Sequence, residues 1–125
     1  MNWPWKKKRV LETISKLDLL DYLPHSKTDP LVFDRTYRLP TDDEVLHLLG
    51  NDYSLYDAEI NDCDDYAFRA KGLASGRGWP FAVVWINGSH MINAWLNADR
   101  EWMWLDPQNR KPYNGKIDVI NAIII

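Results

Sequence analysis

The chain has 125 residues, 46% hydrophobic and 26% charged, the proportions of one ordinary folded domain spanning 1–125. A net charge of −3 with a pI near 5.5 argues against nucleic acid as the main partner, because phosphate binding needs a concentrated basic surface. One cysteine cannot form an internal disulfide, and no apolar run reaches the ~18 residues of a membrane span, so a soluble, cytoplasmic protein is expected.

In chain order, the basic run Lys6-Lys7-Lys8-Arg9 beside Trp3 and Trp5 reads as a solvated helix start. Its sharper reading is a membrane-surface or partner contact through the Trp-Pro-Trp tip. Val10, Ile14, Leu17 and Leu20 follow at helical spacing, so the first helix is expected over 6–20. Pro24 and Pro30 bracket a loop in which His25 is a surface residue, and Leu31-Val32-Phe33 suggests a short strand. Thr41 with Glu44 three residues on is a capping box, announcing a second helix that stops at Gly50. That helix would bury Val45, Leu48 and Leu49 and expose His47.

A polar, tyrosine-rich loop over 51–60 leads to a third helix, with Asp62 at its N-cap and Asp65 three residues later. Ala67, Ala70 and Ala74 give this helix a narrow face that lets a sheet approach, and Gly76 and Gly78 end it. The pattern then turns to strands: 80–86, a turn at Asn87-Gly88, 90–96, a second turn over 97–100, 101–105, and a last strand over 117–125. Helices first and an antiparallel meander after make the fold class α+β, with a central cysteine-bearing helix packed on an antiparallel sheet. Seven tryptophans are present, five of them between Trp79 and Trp104, where aromatic rings would form core, groove wall or both.

The chemistry centres on Cys63. A thiol in the first turn of a helix is favoured as thiolate by the unpaired N–H groups there, while Asp62, Asp64 and Asp65 oppose that charge. A reactive Cys63 therefore needs a cationic histidine nearby; otherwise it is a small buried thiol. His90, at the start of a strand, is the candidate base, and Asp106 on the next strand is the group that would orient it. A turn centred near Ala98 makes positions summing to ~196 face each other, which pairs 90 with 106. Asp106 before Pro107 also suits a plain turn residue.

Asp62-Cys63-Asp64-Asp65-Tyr66-Ala67, then His90, then Trp104-Leu105-Asp106-Pro107 resembles the transglutaminase-like branch of the papain-like cysteine enzymes. The likeness covers 61–108. It implies Cys63 as nucleophile, His90 as base and Asp106 as its orienting partner. It also implies a thioester intermediate formed on a peptide or protein substrate, in a cysteine peptidase, amidase or transglutaminase-like hydrolase. Cys63-Asp64-Asp65, His90-Met91-Ile92-Asn93 and Asp106-Pro107-Gln108 are further similar to the papain-like protease domain attached to a fungal agglutinin. That likeness implies a calcium or manganese site at Asp64 and Asp65, with Gln108 as a weaker ligand, whereas the two acids alone would serve as helix caps. The second oxyanion donor would come from Tyr53, Tyr56 or Asn61, beside the Cys63 backbone N–H. The Gly78-Trp79-Pro80 segment departs from the family's glycine-isoleucine-proline.

An enzyme of this kind would line an extended groove with Trp79, Trp85, Trp95, Trp102 or Trp104. The alternative is a catalytically silent version of the fold, kept as a peptide- or protein-binding module, for example in a phage or secretion assembly. Zinc is a poor fit, since one cysteine and one well-placed histidine fall short of the usual ligand set. Nothing in the sequence specifies an oligomeric state.

Overall fold

The computed structural model describes residues 12–50 and 63–125. The N-terminal basic run, the tyrosine-rich loop, Asp62 and the three oxyanion candidates Tyr53, Tyr56 and Asn61 lie outside them. The first described element is not the expected helix but a strand, β1 (Thr13–Ser15), followed by the short helix α1 (Lys16–Tyr22). Ser15 makes the switch. Its backbone is extended and its side chain accepts the Asp18 N–H at 3.2 Å, so it starts the helix five residues into the supposed repeat. The helical spacing therefore misassigned the core: Ile14 and Leu19 are buried, while Leu17 is 76% exposed.

β1 pairs antiparallel with β2 (Thr36–Arg38), and the strand expected at 31–33 reduces to a single parallel bridge from Leu31 to Ile124. Helix α2 (Asp42–Gly50) begins where the capping box predicts. Glu44 Oε1 accepts the Thr41 N–H at 3.2 Å, and Thr41 Oγ1 accepts the Glu44 N–H at 3.2 Å. Helix α3 (Cys63–Ser75) buries Ala67, Ala70 and Ala74 completely, as its small-residue face requires.

The strands β3 (Phe81–Ile86), β4 (His90–Leu96), β5 (Trp102–Asp106), β6 (Lys111–Pro112) and β7 (Ile120–Ile124) form one antiparallel sheet in the order β6-β5-β4-β3-β7. Asn87 and Gly88 both take positive φ (53° and 69°) in the β3–β4 turn, the conformation for which Asn-Gly is suited. With the two helical layers and two antiparallel sheets, the chain is α+β.

Strand alternation splits the core in two. Phe81, Trp95 and Leu105 face Val45, Leu49, Ala70 and Ala74 of the α2–α3 layer. Ala82, Val84, Ile92, Ala94 and Leu96 face Ile14, Leu19, Tyr37 and Leu39 of the β1–α1–β2 layer. Asn93 ties α3 to the sheet: its fully buried Nδ2 donates to the carbonyls of Ala67 and Ala82, each at 3.0 Å. Lys71 of α3 donates to the Phe81 carbonyl at 3.2 Å, and burial pushes its amine below the usual lysine range, with Asp34 pulling the other way.

Candidate functional site

Cys63, His90 and Asp106 come from three elements near the ends of the sheet, and strand alternation puts His90 and Asp106 on the face opposite the one on which α3 packs. Cys63 is half-buried in the first turn of α3, the helix that packs on the Asn93–Trp95 face. His90 alternates with Ile92 and Ala94 and so belongs to the opposite face. There its ring lies 5.9 Å from that of Tyr113, which packs on the other cluster. The register also differs from the expected one. β4 and β5 pair Asn93 with Leu105 and Leu96 with Trp102, positions summing to 198, so continuation places Asp106 beside Ile92 and not His90.

The cause is the β4–β5 connection. Asn97 Oδ1 accepts the N–H groups of Asp99 (3.0 Å) and Glu101 (2.9 Å) and holds Arg100 at φ 60°, which moves the turn centre from Ala98 to Asp99. Asp106 has its own local task. Its Oδ1 accepts the Gln108 N–H at 2.9 Å and its carbonyl accepts the Arg110 N–H at 2.9 Å, closing the turn into β6. Among the described residues no hydrogen bond joins Cys63, His90 and Asp106.

Asp64 and Asp65 are exposed in the first turn of α3, a position that the helix dipole favours for carboxylates. Gln108 is half-buried in the Asp106 turn. Among the described residues no three His, Cys, Asp or Glu side chains are grouped to hold a metal ion.

The tryptophans divide in a way that composition could not reveal. Trp79 and Trp95 are core, 5% and 2% exposed, not groove wall. Trp85 is 39% exposed near the end of β3. Trp102 and Trp104, two apart on β5, share the β1–α1–β2 side of the sheet, their ring centroids 6.4 Å apart. The Tyr113 N–H donates to the Trp104 carbonyl at 3.0 Å, and the Tyr113 ring continues the row to His90. The result is a half-buried strip of four rings: Trp102, Trp104, Tyr113 and His90. The spacing Trp102-Met103-Trp104 was the signal for it, because alternate strand residues share a face.

At one end the strip meets a cavity of about 330 Å³ lined by Asp18, Asp21, Tyr22 and Arg100. The Trp102 indole N–H donates to the Tyr22 carbonyl, and the Arg100 guanidinium lies 5.9 Å over the Tyr22 ring, so strip and cavity are joined. Aromatic faces beside two carboxylates and a guanidinium can hold a ligand that is apolar on one side and rich in hydroxyls on its rim.

At the other end, Gly115 accommodates Tyr113. A Cβ at Gly115 would collide with the Tyr113 hydroxyl and the adjoining ring carbon. Gly115→Ala is expected to swing the tyrosine aside, since only the far end of a movable side chain is in the way. Stability should change by less than about 1 kcal/mol. The His90 ring-proton resonances should shift as the neighbouring ring leaves, and unchanged resonances would show that Tyr113 had not moved.

No family model and no curated protein matches this chain. Solved structures do. One is the lectin of Polyporus squamosus bound to the human-type influenza-binding epitope Neu5Aca2-6Galb1-4GlcNAc, with a TM-score of 0.66 and 18% identity over 90% of this chain and 49% of that one. Another is the PSL1a-E64 complex, with a TM-score of 0.66 and 17% identity over 90% of this chain and 50% of that one. The chain thus spans about half the length of each, and at this identity the likeness establishes the fold.

These findings correct the expectation of a thiol-dependent peptidase, amidase or transglutaminase-like hydrolase. A structure sharing the fold is that of a glycan-bound lectin, and no family model or curated protein supports membership of the cysteine protease families. A peptide or protein substrate loses its support with the activity. The motif misled for a physical reason. Acidic residues in a helix's first turn and an Asp-Pro at a turn are also what capping and turn closure select. Among the described residues no helix is long and apolar enough to cross a membrane.

Proposed function

We propose that this chain is a carbohydrate-binding module whose ligand lies along the Trp102–Trp104–Tyr113 strip, with its hydroxyls directed to the Asp18–Asp21–Arg100 cavity. The observation that carries the reading is the join between the two, through the Trp102 indole and the Tyr22 carbonyl. One face of a pyranose ring presents C–H groups, which suit the electron-rich face of an indole or phenol ring. Its hydroxyl groups both donate and accept, so carboxylates and a guanidinium together satisfy them. The fold shared with a lectin described as bound to a sialylated trisaccharide supports the same ligand class.

The test is calorimetric titration with Neu5Aca2-6Galb1-4GlcNAc, preceded by a screen of immobilised glycans. Asp21 is exposed, so Asp21→Asn should leave the melting temperature unchanged while weakening binding about tenfold, equivalent to about 1.4 kcal/mol. Trp104→Ala should abolish measurable binding. Failure of the folded wild-type protein to bind any glycan on the screen would overturn the reading, as would unchanged affinity in both variants.

A further inference from the structure

A second cavity, of about 380 Å³, opens beside β7, at the edge of the sheet opposite β5 and β6. It is lined by His25, Lys27, Ile117, Asp118, Val119 and Ile120 and shares no residue with the Asp18–Asp21–Arg100 cavity. Its volume is in the range of small-molecule sites. Two irregular segments, 25–28 and 116–119, form the walls, and both are pinned. On the first, the Lys27 N–H donates to the Ile120 carbonyl and Thr28 Oγ1 to the Asn121 carbonyl, each at 2.9 Å. The second hangs on Asn87 of the β3–β4 turn. Asn87 Nδ2 donates to the Lys116 carbonyl at 2.8 Å, and its Oδ1 accepts the N–H groups of Asp118 (2.8 Å) and Val119 (3.2 Å). The Asn87 backbone N–H donates to the Val119 carbonyl at 2.9 Å. The walls therefore stand ready, and a ligand would not have to order them.

The same bonds decide what the cavity recognises. The N–H groups of Lys27, Asp118 and Val119 are all engaged, so these walls offer no row of free backbone donors of the kind that cradles a phosphate. The polar capacity left is on side chains. His25 and Lys27 are exposed, so their ends are reachable, and neither is bonded to a carboxylate among the described residues. Asp118, the one acid of the lining, is offset by Lys116, whose Nζ lies 3.3 Å from its Oδ1. Lys27 and Lys116 against Asp118 leave a net positive charge. His25 adds to it a ring N–H that donates in either charge state. Ile117, Val119 and Ile120 supply an apolar floor, all buried or half-buried.

We propose that this cavity binds a small monocarboxylic acid with an apolar body, its carboxylate on Lys27 Nζ and His25 and its body on Ile117, Val119 and Ile120. A charge-assisted hydrogen bond fixes the acid end, and the floor adds affinity in proportion to the area it covers. A bare phosphate would leave the floor uncovered, and a neutral alcohol would leave the lysine without an anion. The site is separate from Trp102 and Trp104, so it stands or falls independently of the glycan reading.

The experiment is a ¹H–¹⁵N NMR titration of the labelled protein with hexanoate at neutral pH, and in parallel with hexanol, hexylamine and inorganic phosphate. Hexanoate is expected to move the amide cross-peaks of Lys27, Val119 and Ile120 at millimolar concentration. Hexylamine and phosphate should leave them in place, and hexanol should act at least about tenfold more weakly. Lys27→Met keeps the stem and removes the charge. It should weaken hexanoate binding about tenfold and leave the melting temperature unchanged, because Lys27 is exposed. Lys27→Arg, which restores a cation, should recover the binding. Unmoved peaks would overturn the proposal, as would full affinity in Lys27→Met. Equal shifts with phosphate would overturn it in favour of a simple anion site, and equal shifts with hexanol in favour of an apolar hollow. Shifts confined to the Trp102 and Trp104 indoles would refute this site and leave the strip intact.

Discussion

Asn93→Ala is expected to unfold the domain at a temperature about 10 °C lower than the wild type. Asn93 is fully buried between α3 and the sheet, and its Nδ2 serves two carbonyls, Ala67 on the helix and Ala82 on β3. Truncation would remove both bonds and leave a gap in a site that water does not reach. A buried hydrogen bond contributes about 0.5–1.5 kcal/mol net, so two bonds together with the cavity left behind place the loss at roughly 2–4 kcal/mol. For a domain of this size each kcal/mol moves the midpoint by several degrees. Asn93→Asp is the informative companion, because it keeps the shape and replaces two donors with an acceptor. It should be as damaging as alanine at neutral pH. A thermal scan by circular dichroism decides the matter, and a shift below 2 °C in both variants would mean that the two bonds are not holding the helix.

The second large effect is expected at Asp42→Ala. Asp42 opens α2, and its Oδ1 accepts from Trp95 Nε1 at 2.9 Å and from Asn97 Nδ2 at 3.2 Å. Trp95 and Asn97 are each 2% exposed, so removing the carboxylate leaves two buried donors unpaired. The expected loss is about 2–4 kcal/mol. Function should fall with stability, for a geometric reason. Asn97 sets the β4–β5 turn and so the position of Arg100, which lines the cavity at the end of the aromatic strip. Asp42→Asn keeps an acceptor at the same place and should recover at least half of the stability. Chemical denaturation of the three proteins, with glycan affinity measured on each, tests both halves. Full stability in Asp42→Ala would show that the carboxylate is not the anchor of α2.

Much of the fold could be read from short local signals. The Thr41–Glu44 capping box, the Asn87-Gly88 turn and the alanines of α3 each specify structure through contacts within a few residues. What could not be read depended on distant partners or on one side chain overriding a pattern. Ser15 ends a helical repeat that otherwise runs to Leu20, and Asn97 moves a turn centre by one residue and hence a register by two. That displacement is small in sequence, and by continuation of the register it sets Asp106 opposite Ile92 and not His90. Cys63 and His90 had the right order along the chain, yet order does not reveal which face of a sheet each occupies. The strip was half legible. Alternation puts Trp102 and Trp104 on one side, but only the fold shows that α1 brings Asp18, Asp21 and Tyr22 to their end.

The placement of β7 bears on how the molecule comes to be folded at all. β3, β4 and β5 follow one another directly, so their two hairpins can close as soon as residue 106 is available. β7 instead pairs with β3 and receives the segment from Lys27 to Leu31, through bonds such as that from Thr28 Oγ1 to the Asn121 carbonyl, 93 residues apart. Contacts that span so much chain are slow to find, since the entropy of closing the loop is lost before any bond forms. On a ribosome the hairpins would therefore wait, one flank uncovered, until the final strand emerged. The edge of β3 from Val83 to Ile86 would stay unpaired during that interval, and it is there that a chaperone would have its opportunity to bind.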